Sequence, residues 1–244
     1  MISHQTVVDR WRRTWDEVMS GFLPGADSCE AAMLAVAEAV CGGAPTRVLD
    51  LGGGPGVLAE RMATRWPGAD VGVVDLDPVL LALAAAGAGP RLSLHRADLA
   101  GDWSAAIGAG SCDLVTAVMT IHYLEAGQAR GLYRAARAVL RPGGLLIVAD
   151  LMPETGLAGV MGRLHPDAGE AVAGLAWTRW WDDVQADASW QPILRERQAA
   201  FDGRVPAEFS PPVDWHREAA RQAGFTEAGT IWRWGAHAAL AAVA

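Results

Sequence analysis

The residues with the clearest chemical meaning form a glycine-rich segment behind a short apolar run. Val48 and Leu49 lead into Asp50, and glycines follow at positions 52, 53, 54 and 56. A segment compatible with a helix, 57–62, comes directly after them. Because glycine leaves the backbone bare and the first amides of a helix point outward, a ligand can meet the main chain here. The segment predicts a cofactor-binding turn between a strand and a helix.

The spacing of these glycines argues against two common nucleotide motifs. A dinucleotide-binding fingerprint has its third glycine where this chain has Val57, and no Lys-Ser/Thr pair follows as in a phosphate-binding loop. The remaining pattern is Asp-x-Gly-x-Gly-x-Gly. Glycine-rich turns also serve as plain connections between elements, so the rest of the sequence has to decide.

Two further acids follow predicted strands. Asp75 ends the apolar segment 71–74 and lies nineteen residues after Gly56 (75 − 56 = 19). A carboxylate at such a strand end can accept two hydrogen bonds from a ribose diol. Asp98 follows a third predicted strand, 91–96, and could instead cap its own turn.

Two more segments lie beside the fourth and fifth predicted strands. Thr120-Ile121-His122-Tyr123-Leu124 follows the predicted strand 112–119, and Pro142-Gly143-Gly144 forms a predicted turn before the strand 145–150. With the glycine turn and the two acids, they resemble the class I S-adenosylmethionine (SAM) dependent methyltransferases. The resemblance covers 46–150 and, less closely, 214–244.

This resemblance implies the fold, the cofactor and the cofactor site. The implied fold is α/β, a Rossmann-like doubly wound sheet, mostly parallel with a C-terminal antiparallel hairpin, plus N-terminal helices and a helical insert. SAM is the implied cofactor, with Asp98 accepting from the adenine amino group and the next backbone amide meeting the ring. The implied cofactor-binding residues are Asp50, Gly52, Gly53, Gly54, Gly56, Asp75, Leu76, Asp98, Leu99 and Met119.

We expect a single methyltransferase domain over 1–244, because one alternating β/α pattern carries all the motifs. Its predicted parts are N-terminal helices (1–45), a SAM-binding core (46–150), a helical insert or acceptor-pocket region (151–213), and a C-terminal helix with antiparallel strands (214–244). Within the first part, the segment 6–19 has the spacing of an amphipathic helix. Its predicted apolar face consists of Val7, Val8, Trp11, Trp15 and Val18.

Tryptophans mark the insert and the first helix. Trp177, Trp180 and Trp181 are spaced i, i+3, i+4 and therefore share one helical face. Packing of the insert onto the sheet is the favoured interpretation, and an aromatic wall around the acceptor is the alternative. Tyr123 is included in the acceptor hypothesis although its side chain is expected to face the interior. The residues assigned to acceptor binding are Trp11, Trp15, Tyr123, Trp177 and Trp181.

Methyl transfer from SAM would be an in-line displacement, which depends mainly on positioning. A general base is needed only if the acceptor carries a proton at working pH. His122 is the best-placed candidate, because residues just after the strands of a doubly wound sheet face its crevice. A core histidine bonded to the backbone is the competing interpretation, and His165 and His216 are weaker candidates. Asp150 could orient the acceptor or cap the turn that follows it.

Composition narrows the partners. The formal net charge is −8 and the calculated pI is about 5.2, so no nucleic-acid partner is expected, although Arg10, Arg12 and Arg13 form a local basic group. The three cysteines and six histidines show no metal-binding spacing, and no metal is predicted. No apolar run is long enough to span a bilayer and no leader pattern opens the chain, so we predict a cytoplasmic protein without a membrane partner.

The predicted function is methyl transfer from SAM to a small-molecule acceptor, in the manner of enzymes of secondary metabolism. Three alternatives stay open: a tRNA- or protein-directed methyltransferase, a SAM-binding protein without transfer activity, and a dinucleotide oxidoreductase. The sequence does not separate O-, N- and C-methylation, and self-association is left open.

Overall fold

The computed structural model describes residues 4–88, 92–164 and 167–244. Within them one sheet has the strand order β3-β2-β1-β4-β5-β7-β6. Its strands are β1 (Arg47–Leu51), β2 (Asp70–Asp75), β3 (Leu92–Arg96), β4 (Cys112–Val118), β5 (Leu140–Leu151), β6 (Glu227–Trp234) and β7 (His237–Val243). The α-helices are α1 (His4–Phe22), α2 (Ala26–Cys41), α3 (Val57–Arg65), α4 (Pro78–Ala88), α5 (Ala126–Val139), α6 (Ala158–Leu164), α7 (Asp167–Ala186), α8 (Gln191–Phe201) and α9 (Val213–Gln222).

The predicted fold class is confirmed. Strands β1 to β5 run parallel, whereas β7 is antiparallel to both β5 and β6. Chain order reverses between β1 and β4, which makes their carboxyl ends the switch point of the sheet. Ligands of doubly wound sheets bind in the crevice at such a point.

Helices cover both faces of the sheet, which explains why its central strands are continuous apolar runs. On one face α5 and α9 bury Leu132, Tyr133 and Ala220 against β4 and β5. On the other face α2 and α3 bury Met33 and Met62. The site at the carboxyl ends of the strands therefore rests on a well-packed platform.

A third apolar cluster joins α1, α4 and α7. Val8, Trp11 and Val18 are buried there, which confirms the predicted apolar face of α1, while the side chain of Val7 lies outside the description. The indole Nε1 of Trp180 donates to the carbonyl oxygen of Trp11 at 3.1 Å. The N-terminal helix is therefore held to the insert.

The prediction of a turn at Pro142-Gly143-Gly144 is wrong. Strand β5 runs through these residues, and its pairing with β4 shifts register between Cys112 and Leu114. Gly143 has a φ of +73°, and a Cβ at Gly144 would lie 2.9 Å from the Arg141 carbonyl oxygen. Two glycines allow an irregularity within the strand, in place of an interruption.

A search of the described ranges finds no helix long and apolar enough to cross a membrane.

Candidate active site

The turn from β1 to α3 exposes its backbone. Gly54 has a φ of +54° and Gly56 a φ of +73°, a region that disfavours side chains. A Cβ at Gly53 would lie 2.6 Å from Oδ2 of Asp50. The glycines are therefore required for the shape of the turn as well as for access to its main chain.

Asp50 is a buried acid with one oxygen unused. Its side chain is 1% exposed, Oδ1 accepts from the Thr116 hydroxyl at 2.7 Å, and Oδ2 has no hydrogen-bond partner among the described residues. Burial raises the pKa of this carboxyl to about 7, although the Thr116 hydrogen bond opposes the shift. An unpartnered buried carboxylate is costly, and a cationic ligand group at the turn would relieve that cost. The SAM ammonium is such a group, so Asp50 fits this cofactor.

Asp75 ends β2 and supports the glycine turn directly. Its Oδ2 accepts from the Gly54 amide and its Oδ1 from the Asp77 amide, both at 2.8 Å. Burial raises its pKa to about 6 despite these bonds. Each carboxylate oxygen has a second acceptor site, so the carboxylate retains capacity for a ribose diol. Its assignment to the ribose stays a prediction, as does that of the neighbouring half-buried Leu76.

Asp98 both caps a turn and forms an ion pair. Its Oδ1 accepts from the Ala100 amide at 2.9 Å, which is the turn-capping alternative considered for this residue. Its Oδ2 lies 2.8 Å from a guanidinium nitrogen of Arg204 in the insert. Burial alone would raise the carboxyl pKa, but the bonds from Arg204 and Ala100 bring it below its ordinary value. Leu99 is half-buried and packs on the cluster beneath α5, and both remain predicted cofactor residues.

The most informative pair lies at the ends of β4 and β5. Asp150 is 1% exposed, and its Oδ2 accepts from the amides of Thr120 (3.1 Å), Ile121 (2.7 Å) and His122 (3.3 Å). Its Oδ1 lies 2.7 Å from Nδ1 of His122. Asp150 therefore caps the turn that follows β4, whereas the turn considered for it in the sequence is the one that follows β5. Its carboxylate also holds the imidazole of His122.

This arrangement determines which ring nitrogen carries a proton. Burial would raise the pKa of Asp150, but the hydrogen bond from His122 and the backbone amides hold it below its ordinary value. An ionised carboxylate can only accept, so Nδ1 of His122 donates and the neutral ring keeps its lone pair on Nε2. The His122 side chain is 15% exposed. The pair has the geometry of a general base with an orienting acid.

The surroundings of His122 correct one expectation. The prediction that Tyr123 faces the interior is wrong, because this residue is 52% exposed and its ring centroid lies 4.1 Å from that of His122. The tight turn buries Ile121 and directs Tyr123 outward. Met119, just before it, is a non-glycine residue with a φ of +51°. Such strained backbone is concentrated at functional sites.

The tryptophans divide into two groups. Trp11 (2% exposed) and Trp181 (6% exposed) are core residues, so packing is the interpretation that holds for them. Trp15 and Trp177 are half-buried, with ring centroids 5.1 Å apart. A Cβ at Gly54 would lie 3.4 Å from the Trp15 ring, which places Trp15 over the glycine turn. The structure thus brings Trp15 to the predicted cofactor site, and its role there is untested.

The remaining candidates are set apart. His216 is fully buried, its Nδ1 lies 2.9 Å from the Tyr133 hydroxyl, and burial lowers its pKa to about 4, so it is a poor proton carrier. His165 lies outside the described residues. Arg12 pairs with Glu60 at 2.7 Å, so it is not an open cation of the N-terminal basic group. No group of three or more metal-ligating side chains occurs in the described part of the chain.

Comparison with known proteins agrees with this geometry. Residues 48–144 match the model of a methyltransferase domain family. The malonyl-[acyl-carrier protein] O-methyltransferase of Hahella chejuensis (strain KCTC 2396) is 31% identical over 119 residues, which cover 46% of this chain and 39% of that protein. The aligned part therefore spans well under half of this relative.

Solved structures share the fold. An O-methyltransferase family protein from Burkholderia thailandensis has a TM-score of 0.56 at 19% identity, covering 86% of this chain and 55% of the other. Human N-acetylserotonin methyltransferase, solved in complex with SAM, has a TM-score of 0.54 at 16% identity, covering 98% of this chain and 54% of the other. The chain thus matches about half the length of each.

Proposed function

We propose that this chain, whose residues 48–144 match the model of a methyltransferase domain family, transfers a methyl group from SAM to a small-molecule acceptor that must lose a proton. The observation that carries the proposal is the contact of His122 with Asp150 at the carboxyl edge of the sheet. An acceptor from secondary metabolism belongs to the same proposal.

The cofactor would be held by residues already gathered at the switch point. Asp50 offers an unpartnered carboxylate oxygen, Asp75 retains acceptor capacity, and the glycine turn presents bare backbone. When bound, SAM supplies a methyl group already activated on a positively charged sulfur. The main tasks left to the chain are to orient the acceptor and, where needed, to remove its proton.

His122 would perform the second task. Its Nε2 lone pair can take a proton from the acceptor, while Asp150 holds the ring and stabilises the imidazolium that forms. A carboxylic acid is already ionised near neutral pH and needs no such base. The pair therefore favours a phenol, an enol or another hydroxyl as the acceptor. The exposed Tyr123 ring beside His122 supplies an apolar surface for a planar acceptor.

A panel assay tests the proposal. The chain is incubated with SAM and matched phenols, aliphatic alcohols, amines and carboxylic acids, and S-adenosylhomocysteine (SAH) formation is followed by mass spectrometry. We expect turnover with a hydroxyl acceptor, and strong loss of it in His122→Gln but not in the control His95→Gln. SAM binding without turnover of any class would favour the binding-protein alternative. Turnover confined to carboxylic acids, unchanged in His122→Gln, would refute the role of the base.

A further inference from the structure

The insert crosses the carboxyl edge of the sheet and links the proposed adenine site at Asp98 to the proposed base His122. At one end, Arg204 pairs with Asp98 after β3. At the other end, the amides of Ala207 and Phe209 donate to the carbonyl oxygens of Tyr123 (3.4 Å) and His122 (2.9 Å). The 204–209 segment therefore contacts both the proposed adenine site and the proposed base.

The Asp98 end of this segment uses an acceptor that the adenine amino group would need. One carboxylate oxygen already accepts from the Ala100 amide, and the other is engaged by the Arg204 guanidinium. The ion pair is accessible to water, with side-chain exposures of 45% for Arg204 and 34% for Asp98. Partly exposed pairs of this kind contribute little free energy, so the contact can be exchanged for another donor.

We infer that Arg204 competes with the adenine amino group for the Asp98 carboxylate and thereby lowers the affinity of the chain for the cofactor. This inference rests on the proposed function, in which Asp98 receives that amino group. Both donors would bind the Asp98 carboxylate, on which the Ala100 amide and the Arg204 guanidinium each already take an acceptor site. Each cofactor molecule that binds must therefore displace the guanidinium or share the carboxylate with it.

The neighbouring contacts explain how the exchange can occur without loss of the insert. Arg197 pairs with the buried Asp77 and lies over the Trp181 ring, 3.8 Å from its centroid. Helix α8 is therefore anchored independently of Arg204, which follows its end at Phe201. Gly203, with a φ of +70°, separates the two. Release of Arg204 requires a local movement only.

Calorimetry with SAH tests the competition. SAH carries no net formal charge, so its affinity responds little to the overall charge of the chain. In Arg204→Gln we expect SAH to bind up to about fivefold more tightly at low salt, the range set by a partly exposed ion pair. The gain should shrink toward zero at about 1 M salt, where exposed charges are screened. Arg195→Gln removes the same charge from α8 and should show neither effect.

A double-mutant cycle separates this inference from the proposed function. Asp98→Asn should weaken SAH binding, and adding Arg204→Gln to it should bring no further gain, because the contested oxygen is no longer charged. Unchanged or weaker SAH binding in Arg204→Gln alone would overturn the competition. Absence of SAH binding by the parent chain, or full affinity in Asp98→Asn, would instead contradict the assignment of the adenine site.

Discussion

At the residue scale, the proposed site contains buried acids that differ in how many of their oxygens accept hydrogen bonds. Asp150 uses both oxygens and keeps its pKa low, whereas Asp50 leaves one oxygen unused and has a raised pKa. Both lie near the carboxyl ends of apolar strands, and both are 1% exposed. The difference lies in the donors around them. Donors satisfy Asp150 and suit it to holding a neighbour, whereas their lack suits Asp50 to receiving a cationic ligand.

The first prediction concerns His122. With a hydroxyl acceptor, His122→Gln should lower the single-turnover rate by about 100-fold or more, since a general base of this kind is worth roughly that factor. SAH affinity, measured by calorimetry, should stay unchanged. The parent rate should rise with pH, and the rise should be absent in the variant, because the neutral ring is the active form. A flat profile with no loss in the variant would mean that positioning alone drives transfer.

The second prediction concerns the pH dependence of stability. The raised pKa of Asp50 means that the folded state holds a proton that the unfolded state releases. Its contribution to the free energy of unfolding is therefore full below about pH 4 and is lost as pH rises through about 7. Urea denaturation measures the free energy of unfolding between pH 5 and 8. This free energy should fall less with rising pH in Asp50→Asn than in the parent, by on the order of 2 kcal/mol.

The exposed Asp102 supplies the control for this experiment. Asp102→Asn removes the same charge from the surface and should retain the decline of the parent. Parallel stability curves for the parent and Asp50→Asn would contradict the raised pKa.

The contact between His122 and Asp150 could be predicted only in part. His122 follows one predicted strand and Asp150 ends another, and these positions identified both as candidates. Their pairing depends on the register of β4 and β5, in which Val118 lies opposite Ala149. A shift by one residue would turn one side chain to the other face. The contact of Arg204 with Asp98 was even harder to predict from the sequence, because it joins the insert to a loop that is distant along the chain.

At the scale of elements, α1 has two separate tasks on neighbouring turns. Trp11 lies in the core, with its ring centroid 5.1 Å from that of Trp190, whereas Trp15 lies over the glycine turn. Both positions share the apolar face that the sequence indicates. Which of them is enclosed depends on where α7 packs, and helical periodicity alone does not contain that information.

The third prediction uses this division. Trp11→Ala should lower the free energy of unfolding by about 3–5 kcal/mol, the usual cost of removing a buried large aromatic side chain, with little change in SAH affinity. Trp15→Ala should do the reverse and mainly weaken SAH binding. Denaturation and calorimetry on the two variants measure both quantities. Equal losses of stability, with SAH affinity retained in both, would show that Trp15 only packs.

Strand positions were more predictable than strand details. The segment 71–74 was predicted and β2 spans Asp70–Asp75, because a strand buried on both faces is a continuous apolar run. The irregularity in β5 was missed because Pro-Gly-Gly normally favours a turn, whereas Gly143 and Gly144 here form backbone hydrogen bonds with Ala244, which is distant in the sequence. Tertiary contacts outweighed the local preference there.

At the scale of the whole molecule, cofactor binding should be coupled to global stability. A ligand that binds only the folded state at 100 times its Kd adds about 2.7 kcal/mol. For a chain of 244 residues this corresponds to a rise in Tm of roughly 5–10 °C. The proposed cofactor residues belong to the sheet and its loops, so their ligand should stabilise the sheet itself. The division of the chain into core and insert stays a prediction.

The fourth prediction tests that coupling. In Gly54→Val, SAH should raise the Tm far less than in the parent, because the position has a φ of +54° and lies against Trp15. Thermal unfolding with and without SAH measures the shift. Gly127→Val is the control, since a Cβ there meets no atom within 4 Å. A full shift in Gly54→Val would place the ligand away from the glycine turn.

The order of strands also has a consequence for biosynthesis. Strand β5 is made early, but its second neighbour in the sheet is β7, which ends at Val243, 92 residues after β5 ends at Leu151 (243 − 151 = 92). At ribosomal rates this interval lasts roughly 5–20 s. Throughout it the apolar stretch 145–149 presents an unpaired edge, the kind of edge on which chains aggregate. The growing chain is therefore most vulnerable after β5 has been made and before β7 pairs with it.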